Sequence, residues 1–112
     1  MTLIESLDAF ASRFNANERL RQMNRDWNRT IAIDVEGEPR CALVLEDGHM
    51  RVEPGAPSAR DIALGAAEPV LVDIFGGELG PTEPYLDGRL TVQGSQEDVL
   101  RLDFLSMLIW GE

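Results

Sequence analysis

The feature that most constrains this chain is the stretch Tyr85-Leu86-Asp87-Gly88-Arg89-Leu90-Thr91-Val92-Gln93-Gly94, with a helix opening directly after it at Ser95. Asp87-Gly88 supplies a tight turn, because glycine adopts positive φ without a Cβ clash. Leu90 and Val92 alternate with Arg89, Thr91 and Gln93, the period of a strand with one face on a core. Gly94 stops that strand. Ser95 followed by Asp98 is a capping pattern, and Glu97 and Asp98 place negative charge at the positive end of the helix dipole. From Val99 onward the helix is apolar at most positions, so the rest of the chain must supply a sheet wide enough to bury it.

Read in order, the chain does supply one. Leu3, Ile4, Leu7, Phe10, Ala11 and Phe14 fall at helical spacing, which predicts an amphipathic helix over residues 3–14 that Asn15-Ala16-Asn17 breaks. A second helical piece is expected from Glu18 to about Trp27, with Arg21, Arg25 and Arg29 as a basic row along one side. Such a row reads first as a solvated face and second as a contact for anionic lipid headgroups. Ile31, Ile33 and Val35 mark a strand from Thr30, and Cys41 to Leu45 a second one after the turn Glu36-Gly37-Glu38-Pro39. Asp47-Gly48 is a hairpin signal, with Met50 and Val52 continuing beyond it. Pro54 to Ser58 is a loop, Asp61 to Leu64 a fourth strand, and Ala67 to Phe75 a helix opened by Glu68-Pro69 and ended by Gly76-Gly77. This order indicates an α+β domain, with helices gathered on one face of a mainly antiparallel sheet. Residues 1–112 read as a single domain, with a helical region over 3–27 and the sheet and remaining helices over 30–110.

Composition narrows the function. A chain of 112 residues buries about two-thirds of its unfolded surface on folding, enough to fold without staples. Its one cysteine, Cys41, forms no internal disulfide, which fits a reducing cytoplasm. No apolar run reaches membrane-spanning length, and acids enter too early for a secretory leader. The net charge is −10, and all 10 basic residues are arginine. A polyanion of this kind disfavours nucleic acid as a partner. Residues 1–30 carry five arginines against four acids, so the N-terminal region is slightly basic on an otherwise acidic body.

At Gly77-Glu78-Leu79-Gly80-Pro81 and then Leu86-Asp87-Gly88-Arg89-Leu90-Thr91-Val92-Gln93-Gly94 the chain resembles the sterol carrier protein 2 family of lipid-binding domains. That family's late signature is Gly-x-Leu-x-Pro, a short gap, then apolar-x-Gly-(Lys or Arg)-apolar-x-apolar-x-Gly before the last helix. The Asp47-Gly48 hairpin and the Ala59-x-Asp61-Ile62 segment fall where the family has its own, so the resemblance runs over roughly residues 27–110. Ser95 stands where the family often has aspartate, and both residues cap helices. The chain ends Trp110-Gly111-Glu112 rather than in a Ser-Lys-Leu peroxisomal address, which points to a bacterial stand-alone form. The resemblance implies a five-stranded sheet covered by helices, an apolar tunnel for sterols, fatty acyl chains or similar lipids, and no catalytic residues. The elements joined by the signature place Phe75, Leu79, Leu90, Val92, Phe104, Leu105 and Leu108 around that cavity.

The residues themselves offer little other chemistry. His49, beside the Asp47-Gly48 turn, has no further metal ligands near it in sequence, and Cys41 shares a side with Leu43 and Leu45 as a small apolar residue does. No metal, cofactor or nucleophilic triad is expected. Asp103 is discordant, lying among Val99, Leu100, Phe104 and Met107 with no cation three or four residues away. It reads as a solvated edge residue, and alternatively as a headgroup anchor or a carboxylate base in an apolar pocket. Binding and carriage of an apolar lipid therefore leads. A protein-docking accessory module for an enzyme of lipid or quinone metabolism stands second, and a small enzyme using Asp103 third.

The last helix carries one more expectation. Over residues 104–110 the apolar side chains spread almost all the way round at about 100° per residue, with only Ser106 polar. In a domain this small the excess needs covering by ligand, by a second copy in a homodimer through this helix, or by transient contact with a membrane. Repulsion between the acidic body and anionic lipid places the membrane last. Trp110 is expected to anchor that contact and to stand with the ligand-binding residues.

Overall fold

Three strands joined by two-residue turns form one side of the sheet. The computed structural model describes residues 1–110; Gly111 and Glu112, on which the reading of the chain's end partly rests, lie outside the described residues. Strands β1 (Arg29–Val35), β2 (Glu38–Glu46) and β3 (His49–Pro54) make the meander, turning at Glu36-Gly37 and Asp47-Gly48. β4 (Ile62–Ala66) pairs parallel to β1, and β5 (Thr91–Gln93) pairs antiparallel to β4. The spatial order is β3-β2-β1-β4-β5, a five-stranded sheet in which the β1–β4 pair alone is parallel. β2 begins earlier than the sequence predicts, at Glu38. Pro39, which has no N–H to donate, is accommodated opposite Asp34 at the point where the β1–β2 register shifts.

Among the described residues five helices complete the fold: α1 (Leu3–Ala16), α2 (Glu18–Met23), α3 (Glu68–Phe75), α4 (Thr82–Leu86) and α5 (Gln96–Trp110). Apolar residues of α1, α2, α3 and α5 join Ile31, Ile33, Leu43, Leu45, Ile62 and Leu64 in one core, while Ala32, Ala42 and Ala63 on the opposite sheet face stay outside it. The helices thus occupy one face of the sheet. Phe10 of α1 meets Phe75 of α3 edge to face at 5.1 Å, and the buried Ser6 hydroxyl donates to the Val72 carbonyl at 3.0 Å. Asn15 lies inside α1 instead of ending it. Its amide donates to the Met50 carbonyl and accepts from the Met50 N–H, both at 2.8 Å, so it acts as a short partner for the edge strand β3.

α2 stops at Met23, short of the expected Trp27. The Asn24 side chain donates to the Leu20 carbonyl at 2.8 Å and closes the helix. The basic row consequently falls apart. Arg21 donates to the Gly48 carbonyl at 3.1 Å and to the His49 ring at 2.9 Å, Arg25 is exposed, and Arg29 belongs to β1.

α4 was not foreseen. Its single turn holds the Asp87-Gly88 corner in place, because the Pro84 carbonyl accepts from both the Arg89 and the Leu90 N–H groups at 2.8 and 3.0 Å. Gly88 sits at φ 85° with no neighbouring atom within 4 Å of where a Cβ would be. A change to valine is therefore penalised by backbone conformation, with no clash to add. Gly88→Val is expected to lower stability by at least ~1 kcal/mol, read as a lower melting temperature; melting that matches the parent would show the corner rearranges freely.

At the start of α5 the Ser95 hydroxyl accepts from the Asp98 N–H at 3.1 Å, as the capping pattern predicts. The Asp98 carboxylate accepts from Trp27 Nε1 at 3.0 Å and from Arg29 Nε at 3.0 Å. Burial raises the affinity of this carboxyl for its proton. The bonds from Trp27 and Arg29, the Arg29 charge and the Ser95 hydroxyl together outweigh burial and hold it below the ordinary carboxylate range. A carboxyl lowered by folding contributes stability above its unfolded value of about 4 and loses that contribution as the pH falls through the lower folded value. Asp98→Asn is expected to cost about 1 kcal/mol near neutrality. The gap between variant and parent should narrow in denaturant titrations run below about pH 4; a constant gap would show that Asp98 holds no preferential charge in the fold.

Candidate functional site

α5 is long, apolar and anchored at both ends by polar groups. Near its start, Arg101 donates to Asn24 Oδ1 at 3.1 Å and to the Met23 carbonyl at 3.0 Å, with its guanidinium 5.1 Å over the Trp27 ring. At its end, Arg13 Nε donates to the Ile109 carbonyl at 3.2 Å, a cation where the helix dipole favours one. So held, α5 buries Leu102, Leu105 and Ile109. It turns Leu100, Phe104 and Met107 outward at 60%, 54% and 63% exposure.

Between those two faces runs the stripe Val99, Leu102, Asp103 and Ser106, spaced i, i+3, i+4, i+7. It forms one wall of a cleft of about 250 Å³. Leu71, Ile74 and Phe75 of α3 form a second wall, Leu64, Leu90 and Val92 lie along the sheet side, and Pro81, Thr82 and Tyr85 form the rim. Tyr85 and Leu100, both lining residues, are more than half exposed, so the cleft opens to solvent on the α4 side. Its polar groups are the Thr82, Tyr85 and Ser106 hydroxyls and the Asp103 carboxylate. Asp103 is exposed, and among the described residues no hydrogen bond or ion pair reaches it.

The eight residues expected to bind ligand divide among separate places. Phe75, Leu90 and Val92 line the cleft. Phe104, Leu105 and Leu108 line a hollow of about 200 Å³ on another side of α5, with Met23, Asn24 and Arg101. Leu79 is half-buried beside neither, its N–H bonded to the Asp73 carbonyl at 3.1 Å. The division follows from helix geometry, since positions 104, 105 and 108 lie off the 99–102–103–106 stripe. Leu64, Leu71, Ile74, Val99, Leu100 and Leu102, which the sequence pattern does not single out for the cavity, supply most of the remaining apolar lining.

Trp110 is not the protruding anchor expected of it. Its indole folds back over Gly77, where a Cβ would stand 2.9 Å from Cδ2, and tilts against Phe10 with ring centroids 6.4 Å apart. The Arg13 guanidinium lies 4.4 Å above it. Gly77, at φ 82°, thus both ends the α3 turn and leaves room for the ring. The indole Nε1 is buried with no hydrogen-bond partner among the described residues.

Other candidate chemistry stays apart from the cleft. Cys41 is buried, and burial raises its thiol above the usual range, as fits a small apolar residue. His49 is exposed at the far end of the sheet beside Arg21. Among the described residues no three His, Cys, Asp or Glu side chains are grouped to hold a metal ion, and no helix is long and apolar enough to cross a membrane.

The fold has solved counterparts. The solution structure of the sterol carrier protein domain 2 of Helicoverpa armigera superposes with a TM-score of 0.73 at 14% identity, covering 99% of this chain and 91% of that one. A ubiquinone synthesis protein, UbiJ-SCP2, superposes with a TM-score of 0.69 at 18% identity over 95% of this chain and 88% of that one. The sec-alkylsulfatase Pisa1 from Pseudomonas sp. contains the same arrangement, with a TM-score of 0.71, 17% identity and 94% of this chain covered. This chain spans only 16% of that enzyme's length. No curated protein matches the chain by sequence. Residues 7–106 match the SCP-2 sterol transfer family, and with a match over most of its length the chain belongs to that family.

Proposed function

We propose that the protein binds a single apolar lipid chain in the cleft between α3, α4, α5 and the β4–β5 side of the sheet, and carries or presents it without altering it. The observation behind this reading is an almost wholly apolar cleft that reaches the surface in a member of a sterol transfer family. The driving force is desolvation. Since a dry cavity of about 150 Å³ accepts a benzene ring, a cleft of about 250 Å³ takes roughly ten carbon atoms. At about 0.8 kcal/mol per buried methylene this sets an upper limit near 8 kcal/mol, or a Kd on the order of 1 μM. Phe75, Leu90 and Val92 are the ligand-contacting residues in this reading. Phe104, Leu105, Leu108 and Leu79 enter only if the cleft widens around a larger ligand, and Trp110 closes the far end of α5. The buried, unpaired Cys41 is compatible with a cytoplasmic carrier.

A second reading rests on a different observation, the exposed row Leu100, Phe104 and Met107. Here the same side of the domain docks a protein, as an accessory module for an enzyme of lipid or quinone metabolism, or pairs with a second copy of itself. Membrane contact through the row is disfavoured by the −10 charge. Ile109, at 3% exposure, belongs to the core, so the row and not the helix end is the surface to alter.

Ser106 offers a direct test, because it faces the cleft, is half-buried, and bonds only to the Leu102 carbonyl of its own helix at 2.9 Å. Ser106→Trp should fill the cleft, lower lipid uptake by about tenfold or more, and leave the circular dichroism spectrum intact. Native mass spectrometry of freshly purified protein reads the bound lipid and the assembly state together. Lipid retained in full by the filled variant would move the binding site elsewhere. Loss of self-association in Phe104→Ser with Met107→Ser, at unchanged lipid content, would favour the docking reading.

A further inference from the structure

We infer that the cleft selects, among single-chain lipids, those whose head group donates a hydrogen bond, and that Asp103 is the residue that sets this preference; the inference rests on the cleft being the lipid site proposed above. The cleft is asymmetric in charge. Among the described residues its lining includes one carboxylate, Asp103, and no arginine or histidine. The hydroxyl of Ser106, one turn on, is already committed as a donor to the Leu102 carbonyl, so what it still offers a ligand is acceptor capacity. An ionised carboxylate is an acceptor only.

The nearest cations in the sequence do not offset Asp103. Arg101 is spent on Asn24, the Met23 carbonyl and the Trp27 ring, on the side of α5 that borders the other hollow. Arg89, next in sequence to the lining residue Leu90, is paired with Asp87 at 2.9 Å. A fatty acid lying in the cleft would therefore bring its carboxylate to a mouth that holds a like charge and, among the described residues, no lining cation. A hydroxyl or an ammonium group in the same place meets an acceptor with free lone pairs. Two unit charges about 4 Å apart repel enough, even at near-water dielectric, to shift binding by several-fold, and by more where the cleft excludes water. The apolar lining cannot make this distinction, because it contacts only the chain, and neither can the Thr82 and Tyr85 hydroxyls, which donate and accept alike.

Ligands of equal chain length isolate the head group. Decylamine, decanol and decanoate are titrated calorimetrically at about pH 8, where a fatty carboxyl is ionised and an alkylamine protonated. The three proteins are the parent, Asp103→Asn and Glu97→Gln; the last removes the same charge from an exposed position of α5 outside the cleft. The parent is expected to bind decanol about tenfold more tightly than decanoate and decylamine at least as tightly as decanol. Asp103→Asn should collapse that ladder by strengthening decanoate and weakening decylamine, and Glu97→Gln should keep it. Decanoate bound as well as decanol by the parent, or equal effects of the two substitutions, overturns the head-group inference while leaving the cleft a lipid site. Failure of all three ligands to bind any of the proteins overturns the site itself, and the selectivity with it.

Discussion

A helix that is apolar on nearly every side gains burial in almost any rotation, so burial cannot decide which way it faces. Hydrophobic attraction is proportional to area and has no direction, whereas hydrogen bonds have both length and angle. The rotation of α5 is fixed by three polar attachments: Asp98 to Trp27 and Arg29, Arg101 to Asn24 and the Met23 carbonyl, and Arg13 to the Ile109 carbonyl. All three reach across to the N-terminal third of the chain or to β1. A slip of one residue would rotate the helix by about 100° and exchange buried for exposed side chains along its length. These contacts are what make Leu102, Leu105 and Ile109 core, and Leu100, Phe104 and Met107 surface.

The cleft is a consequence of that rotation. With α5 held so that Val99, Leu102, Asp103 and Ser106 face α3 and the sheet, the space between them is walled by apolar side chains that the protein's own packing does not fill. Interiors are otherwise packed as closely as organic crystals, so unfilled apolar surface of this kind is stability forgone in the empty state. A ligand that binds only the folded protein returns it, by about 2.7 kcal/mol at a concentration one hundred times its Kd. A glycine and a proline in the segments that follow α3 serve the same geometry. Gly77 clears a place for the Trp110 ring, and the Pro84 carbonyl fastens the corner that feeds Leu90 and Val92 into the sheet wall.

What the sequence revealed and what it concealed divide along the same physical line. Short-range signals were legible: the period-two alternation of Leu90 and Val92, the Asp47-Gly48 hairpin, the Ser95 cap and the amphipathic face of α1 each depend on residues a few positions apart. The element order and the α+β class followed from them. The divided fate of Phe104, Leu105 and Leu108 was not legible, because a helical wheel with no polar side gives no reason to choose a face. Nor was the inward turn of Trp110, which depends on Gly77 and Arg13 arriving from two other helices' ends. Asp98 resembled an ordinary first-turn acid until its carboxylate met Trp27, seventy-one positions away. α4 is too short, with a proline inside it, to carry any period at all.

Leu100 belongs to two features at once, which ties the two functional readings together. It lines the cleft, and it is also the first residue of the exposed row that continues through Phe104 and Met107. Any body that covers the row, whether a partner enzyme or a second copy of the chain, must therefore touch the mouth of the cleft. A lipid tail lying against Leu100 in turn changes the surface that such a partner meets. Any coupling between the two occupants is equal in both directions, with its sign set by whether Leu100 packs better on both together or on each alone. The two proposed readings, carriage and docking, therefore meet at Leu100 rather than on separate surfaces. A partner that binds the row more tightly when the cleft is full would read the state of the cargo through a single leucine side chain.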